Sequence, residues 1–189
     1  MQITIHQPNF MPWYPFFQKI ESADVFVLLN HCQFEKNNFQ NRFNMNERWF
    51  TMGTNKGLES IVDKRYVNPQ RDWTKIKKSL YDYNLEIFDE CISNSLFETN
   101  GNLIRKICKI LDIKTEIVSD KDTELKGTAR LVEICKSMNA TSYISGTSGK
   151  SYMDLDMFHS NNIDLVFQND KDMIKKPVLE ILKDKIKNV

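Results

Sequence analysis

Apolar residues near the start of the chain come in short runs fenced by polar ones. Residues 3–5 read as a short core strand entering a loop at His6, and residues 24–30 (DVFVLLN) as a buried strand. Residues 12–22 read as a helix that opens with aromatics. A polar loop is expected over 31–44, then strands over 48–53 and 60–67. From about residue 70 the period changes. Trp73, Ile76, Leu80 and Tyr83 form one helical stripe, and Ile104, Ile107, Cys108 and Leu111 form another. Beyond residue 103 the pattern alternates, with strands over 115–119, 142–145 and 164–168. Helices are expected over 128–138, 155–158 and 177–186, the last with Pro177 in its first turn. The prediction is an α/β fold, a mixed, partly parallel sheet flanked by helices with a more helical middle segment. The length suits a single domain over 1–189 with a helical sub-lobe around 70–112, and no repeat or low-complexity linker marks a boundary.

Charge changes this picture little. Lys and Arg number 26 against 25 Asp and Glu, so no global field argues for nucleic acid. No run approaches the roughly 20 apolar residues of a membrane span. The start, MQITIHQPNF, lacks the basic and apolar regions of a secretory signal, so a cytoplasmic protein is expected. Cys32, Cys91, Cys108 and Cys135 form no CxxC pair; they read as reduced thiols, and no metal site is expected.

Three stretches carry candidate chemistry. His6 closes a short strand, and Gln7, Pro8 and Asn9 follow it on a loop stiffened by proline. Parallel sheets put ligands beyond the carboxyl ends of their strands, so His6 is well placed for function, although a lone histidine is more often a structural residue. Trp13, Tyr14 and Phe16 read either as pocket walls or as core. The loop over 31–44 holds Gln33, Lys36, Asn37, Asn38, Gln40, Asn41 and Arg42, amides and cations that read either as a site for a polyol, phosphate or carboxylate or as a solvated surface loop. Cys32 beside His31 invites a nucleophile–base reading, but sequence neighbours seldom have the mutual geometry it needs. The stretch YISGTSGKSY (143–152) reads either as a phosphate cradle or as a plain turn. It is not a P-loop, because GxxxxGK[ST] would need glycine where Ile144 stands.

Together these stretches resemble the WbqC-like proteins. Their pattern HQPxFxPWxGFFxKI is met by His6, Gln7, Pro8, Phe10, Pro12, Trp13, Phe16, Phe17, Lys19 and Ile20. An acid-led apolar strand follows at Asp24, and then xxVQFxKxxxxNR at Gln33, Phe34, Lys36, Asn41 and Arg42. RLVEICKSMNATSYISGTSGKSYMDLDMF resembles the family's later segment, with Gly149 and Tyr152 in its Ser-Gly loop. Pro15 stands where glycine is common and Cys32 where an aliphatic residue is usual, which weighs against a catalytic cysteine.

The resemblance implies a role in O-antigen or other surface-polysaccharide biosynthesis. The implied reaction is transfer of an acyl or aminoacyl group, such as glycyl, to the amine of a nucleotide-linked amino sugar. The donor would be a thioester of an acyl carrier protein or coenzyme A, with no tightly bound cofactor. On this reading His6, Gln7 and Asn41 are catalytic, and Trp13, Lys36, Arg42, Ser148, Gly149, Lys150 and Tyr152 bind substrate. The partners are then the nucleotide sugar and a carrier protein. Two alternatives remain: a non-catalytic nucleotide-sugar or glycan-intermediate binder, and a nucleotidyltransferase-like enzyme, since His6 on its loop and ISGTSGK loosely resemble HxGH and ISTTxIR patterns.

Overall fold

The computed structural model describes residues 1–186. It divides into two compact units: the first comprises Met1–His6, Pro15–Leu29 and Lys114–Ile174, and the second the remaining segments, beginning at Gln7–Tyr14 and Asn30–Ile113.

The first unit is built on a five-stranded parallel sheet. Its strands are β1 (Gln2–His6), β2 (Val25–Leu28), β5 (Glu116–Ser119), β6 (Ser142–Ser145) and β7 (Asp164–Phe167). They lie in the order β5-β2-β1-β6-β7, all parallel. Strand alternation sorts the side chains onto two faces. Ile3, Ile5, Val25, Val27 and Tyr143 join one core with Leu131, Val132, Ile134 and Cys135 of α4 (Gly127–Ser137) and Phe158 of α5 (Leu155–Ser160). The opposite face meets α1 (Tyr14–Glu21), whose Phe16 lies edge-on to Phe26 at 5.5 Å and to His6 at 5.0 Å. α1 and α5 therefore cover opposite faces. The sheet is doubly wound and reverses direction between β1 and β6, as right-handed crossovers require.

Chain connectivity runs from β2 out to residue 30 and returns at residue 113, which leaves residues 30–113 to the second unit. That unit holds a two-stranded antiparallel hairpin, β3 (Arg42–Met45) and β4 (Arg48–Thr51), and the helices α2 (Pro69–Ser79), α3 (Leu96–Leu111) and α6 (Val178–Ile186). Its core is aromatic: Phe10, fully buried, packs against Phe43, Tyr66 and Trp73. The proline-rich stretch after His6 thus delivers Phe10 into this core, and Phe10 N donates to Phe39 O at 2.9 Å. Ser95 caps α3 by accepting from Glu98 N.

Three local expectations need correction. Residues 60–67 do not form a strand; Ser60, Tyr66 and Arg65 make isolated bridges to Gln33, Thr54 and Ser95, three different partners that no single ladder could serve. Arg42 lies not in a loop but at the first position of β3, opposite Thr51. α2 ends at Ser79, short of the stripe expected to run to Tyr83, and the chain continues in two 3-10 segments, Tyr81–Tyr83 inside that stripe and Leu85–Cys91 beyond it.

Candidate functional site

In the first unit the candidate residues gather where the strands end. His6 is the last residue of β1, the central strand, and is paired with Leu28 of β2. Its ring meets the edge of Phe16, so it lies on the α1 face. On the neighbouring strand Ser145 closes β6 and Gly146 leads into a 3-10 turn, Thr147–Ser151. Gly149 is there for want of space: a Cβ on it would collide with Ser145 Oγ and Met153 Cε. Its amide is engaged inside the turn, donating to Gly146 O at 3.0 Å. The Ser148 carbonyl accepts from Ser151 Oγ at 2.8 Å. Lys150 lies over the Phe167 ring at 5.0 Å, and Tyr152 is largely exposed. At the far end of the sheet Asp120, directly after β5, forms a buried ion pair with Arg130 of α4.

Sequence reasoning gave no role to Lys19, although the family pattern contains it. Its side chain is buried and Nζ donates to the Ile5 carbonyl at 3.4 Å, next to His6 in the chain. Burial lowers its pKa to about 7.

In the second unit Gln7 belongs to a chain of amides. Gln7 Nε2 donates to Cys32 Sγ at 3.3 Å, and Gln7 Oε1 accepts from Gln40 Nε2 at 2.7 Å. Gln40 Oε1 accepts from Glu35 N. Asn100 Nδ2 donates to both Gln40 O and Pro8 O at 2.7 Å, while its Oδ1 accepts from Tyr66 OH at 3.0 Å. Gln40 and Asn100 are fully buried, and burial raises the Tyr66 pKa well above its ordinary value. Asn41 donates to Met52 O at 2.7 Å, which ties the loop to the end of the hairpin.

Arg42 donates to the Asn37 carbonyl and lies 4.1 Å from the centre of the Trp49 ring, which in turn meets Phe39 at 5.6 Å. Trp49 and Phe39 are both substantially exposed, as is Trp13, which bridges to Pro177. Lys36 is exposed on the same loop. His6, Ser148, Gly149, Lys150 and Tyr152 therefore fall in the first unit, and Gln7, Trp13, Lys36, Asn41 and Arg42 in the second. Asn100 and Lys19 are the residues to which sequence reasoning gave no role, and Gln40 was named only as one of the amides of the 31–44 loop. For Lys19 and Asn100 the one available signal was a polar residue one helical turn from apolar ones, Phe16 in the first case and Leu96, Leu103 and Ile104 in the second. All four cysteines are thiols; Cys91, Cys108 and Cys135 are buried and Cys32 is half-buried. Burial pushes the Cys108 and Cys135 thiols up to about 12. Among the described residues no His, Cys, Asp and Glu cluster is arranged to hold a metal ion, and no helix is long and apolar enough to cross a membrane.

The first unit is a doubly wound parallel sheet with a histidine and a Ser-Gly turn ending two neighbouring strands, which defines the chain as an α/β protein of the open-sheet class. Within that class the chain belongs to the WbqC-like protein family, whose model matches residues 7–177. It is also 27% identical over 183 residues to an uncharacterized protein of Mycobacterium tuberculosis, an alignment covering 86% of this chain and 79% of that protein. No solved structure matches the chain.

Proposed function

We propose that the protein transfers an acyl or aminoacyl group, such as glycyl, to the amine of a nucleotide-linked amino sugar destined for surface polysaccharide. A thioester of an acyl carrier protein or coenzyme A is the donor. The observation that supports this reading is the strand order, which puts His6 at the carboxyl end of β1 beside the point where the sheet reverses. Open parallel sheets bind nucleotide phosphates at that point. His6 takes a proton from the amine as its nitrogen attacks the thioester carbonyl; the C–N bond forms, the C–S bond breaks, and the proton passes to the departing thiolate. Lys150 and the amide of Ser148 are the first unit's candidates for the phosphates. For the second unit the reading stands as separate roles: Gln7 and Asn41 as amides for the oxyanion or sugar hydroxyls, Lys36 and Arg42 as cations, and Trp13 as an exposed ring.

The test is titration calorimetry with dTDP- or UDP-linked 3-amino and 4-amino sugars, then mass spectrometry after a thioester donor is added. The expected result is binding with formation of the N-acyl product, and a folded His6→Ala protein slower by about 10²–10⁴-fold. Binding without turnover under any donor identifies a binding protein instead. No binding to any nucleotide sugar removes both readings.

The strand order also favours a second reading, a nucleotidyltransferase-like enzyme. It sets the ISGTSGK turn on the strand next to the one that ends in His6, as the resemblance to that class needs. Release of pyrophosphate from a nucleoside triphosphate and a sugar 1-phosphate, in the absence of any thioester, separates this reading from acyl transfer.

A further inference from the structure

The two sides of β1 end differently. Its pairing with β2 runs through His6↔Leu28, whereas its pairing with β6 stops at Thr4↔Ile144. The Gln2 and His6 carbonyls accept from Asp24 N and Leu29 N, both at 2.9 Å, so the even-numbered residues face β2. Carbonyls alternate along a parallel strand, and Ile3 and Ile5 therefore face β6. Beyond the Thr4↔Ile144 pair the strands part, and the Ile5 carbonyl accepts from Lys19 Nζ. The ammonium stands where the next rung of the ladder would be, at the reversal point of the sheet. Beside it, Thr4 Oγ1 donates to the Ile144 carbonyl at 2.8 Å.

Lys19 is a poor choice for packing alone. The other buried residues of α1 are Pro15, Phe16, Phe17 and Ile20, all apolar. Lys19 is 3% exposed, its hydrogen bond is long, and among the described residues no carboxylate lies within ion-pair distance of it. An ammonium carries three donors, and one carbonyl leaves it undersupplied. A methionine would fill the same volume without desolvating a charge. A buried cation that costs stability, held at the place where parallel sheets bind phosphate, is the signature of a group kept for a ligand.

We infer that Lys19 is the buried cation that receives a phosphate of the nucleotide-linked substrate where β1 and β6 part. This inference rests on the nucleotide-sugar reading above and names one of its binding residues. An arriving phosphate supplies the acceptors that the Ile5 carbonyl alone does not, and it holds Lys19 in the charged form. The position also explains why a lysine follows the two phenylalanines of the FFxKI pattern: the phenylalanines pack the helix and the lysine reaches toward the strand end.

The experiment compares wild type with Lys19→Met, using inorganic pyrophosphate, dTDP and UDP as calorimetric titrants. A second measurement follows the side-chain nitrogen resonance of Lys19 in 15N-lysine-labelled wild type as pyrophosphate is added. The expected result is affinity weakened at least about tenfold in Lys19→Met, with a Lys19 resonance in wild type that moves on titration. If wild type binds and Lys19→Met binds equally well, the inference is overturned while the nucleotide reading survives. If wild type binds neither pyrophosphate nor either nucleotide, both are overturned. Should Lys19→Met fail to fold, the wild-type resonance decides: binding that leaves it unmoved overturns the inference.

Discussion

Lys19 in the first unit and the buried amides of the second are treated in opposite ways. In the second, Gln40 and Asn100 are fully buried, yet every amide group they carry has a partner in the chain through Gln7, Glu35, Pro8 and Tyr66. In the first, Lys19 is almost as deeply buried and has one long bond to a carbonyl. A satisfied network fixes a loop in one conformation, whereas an undersupplied cation raises the energy of the empty state and lowers it when an anion arrives. The contrast separates residues kept for architecture from a residue kept for binding.

The comparison breaks most sharply at Asn100. Asn100→Leu removes two donors and one acceptor from a dry network and leaves the Pro8 and Gln40 carbonyls short of partners. It should cost about 3 kcal/mol or more in urea unfolding. A loss below about 1 kcal/mol would mean that water replaces the amide and that the network is not architectural.

Lys19→Met should act with the opposite sign, stabilising the free protein by on the order of 2 kcal/mol. Its pH dependence sharpens the point. Lys19 titrates near 10.5 when unfolded and near 7 when folded, so between those values the unfolded chain holds more protons. The wild type is therefore penalised in full below about pH 7 and recovers as pH rises toward 10.5. The advantage of Lys19→Met should be largest near pH 6 and fade by pH 10; a constant difference across that range would place the effect in packing rather than charge.

Gly149→Ala tests the first unit's tight turn. The added methyl group has to displace Ser145 Oγ and Met153 Cε, and thermal unfolding should show a loss of about 1–3 kcal/mol. An unchanged midpoint would mean that the turn yields freely. The smallest effect is expected at Cys32. A serine oxygen accepts from Gln7 Nε2 as sulfur does, so Cys32→Ser should stay within about 1 kcal/mol of wild type. The same thiol should be alkylated before Cys108 and Cys135, whose burial holds them protonated to about pH 12. Intact-mass spectra of timed iodoacetamide reactions give that order.

Much of the fold was legible along the chain. The alternation over 115–168 located β5, α4, β6, α5 and β7 to within a residue or two, because a core strand and an amphipathic helix each write their own period into the sequence. His6 at a strand end, the Ser-Gly turn after β6 and the burial of Cys108 and Cys135 were readable for the same local reason. What the sequence could not state was which strand lies beside which. The order β5-β2-β1-β6-β7 joins segments far apart in the chain, and only that order turns His6 and Ser145 into the ends of neighbouring strands at a reversal point. Residues 60–67 failed as a strand for the same reason: a segment becomes a strand only when one partner pairs along it, and here three partners each take a single residue. Lys19, Gln40 and Asn100 look like ordinary polar side chains when read in sequence. Their burial is set by what packs over them, and whether a buried amide or ammonium is satisfied depends on carbonyls that only the folded chain brings within reach.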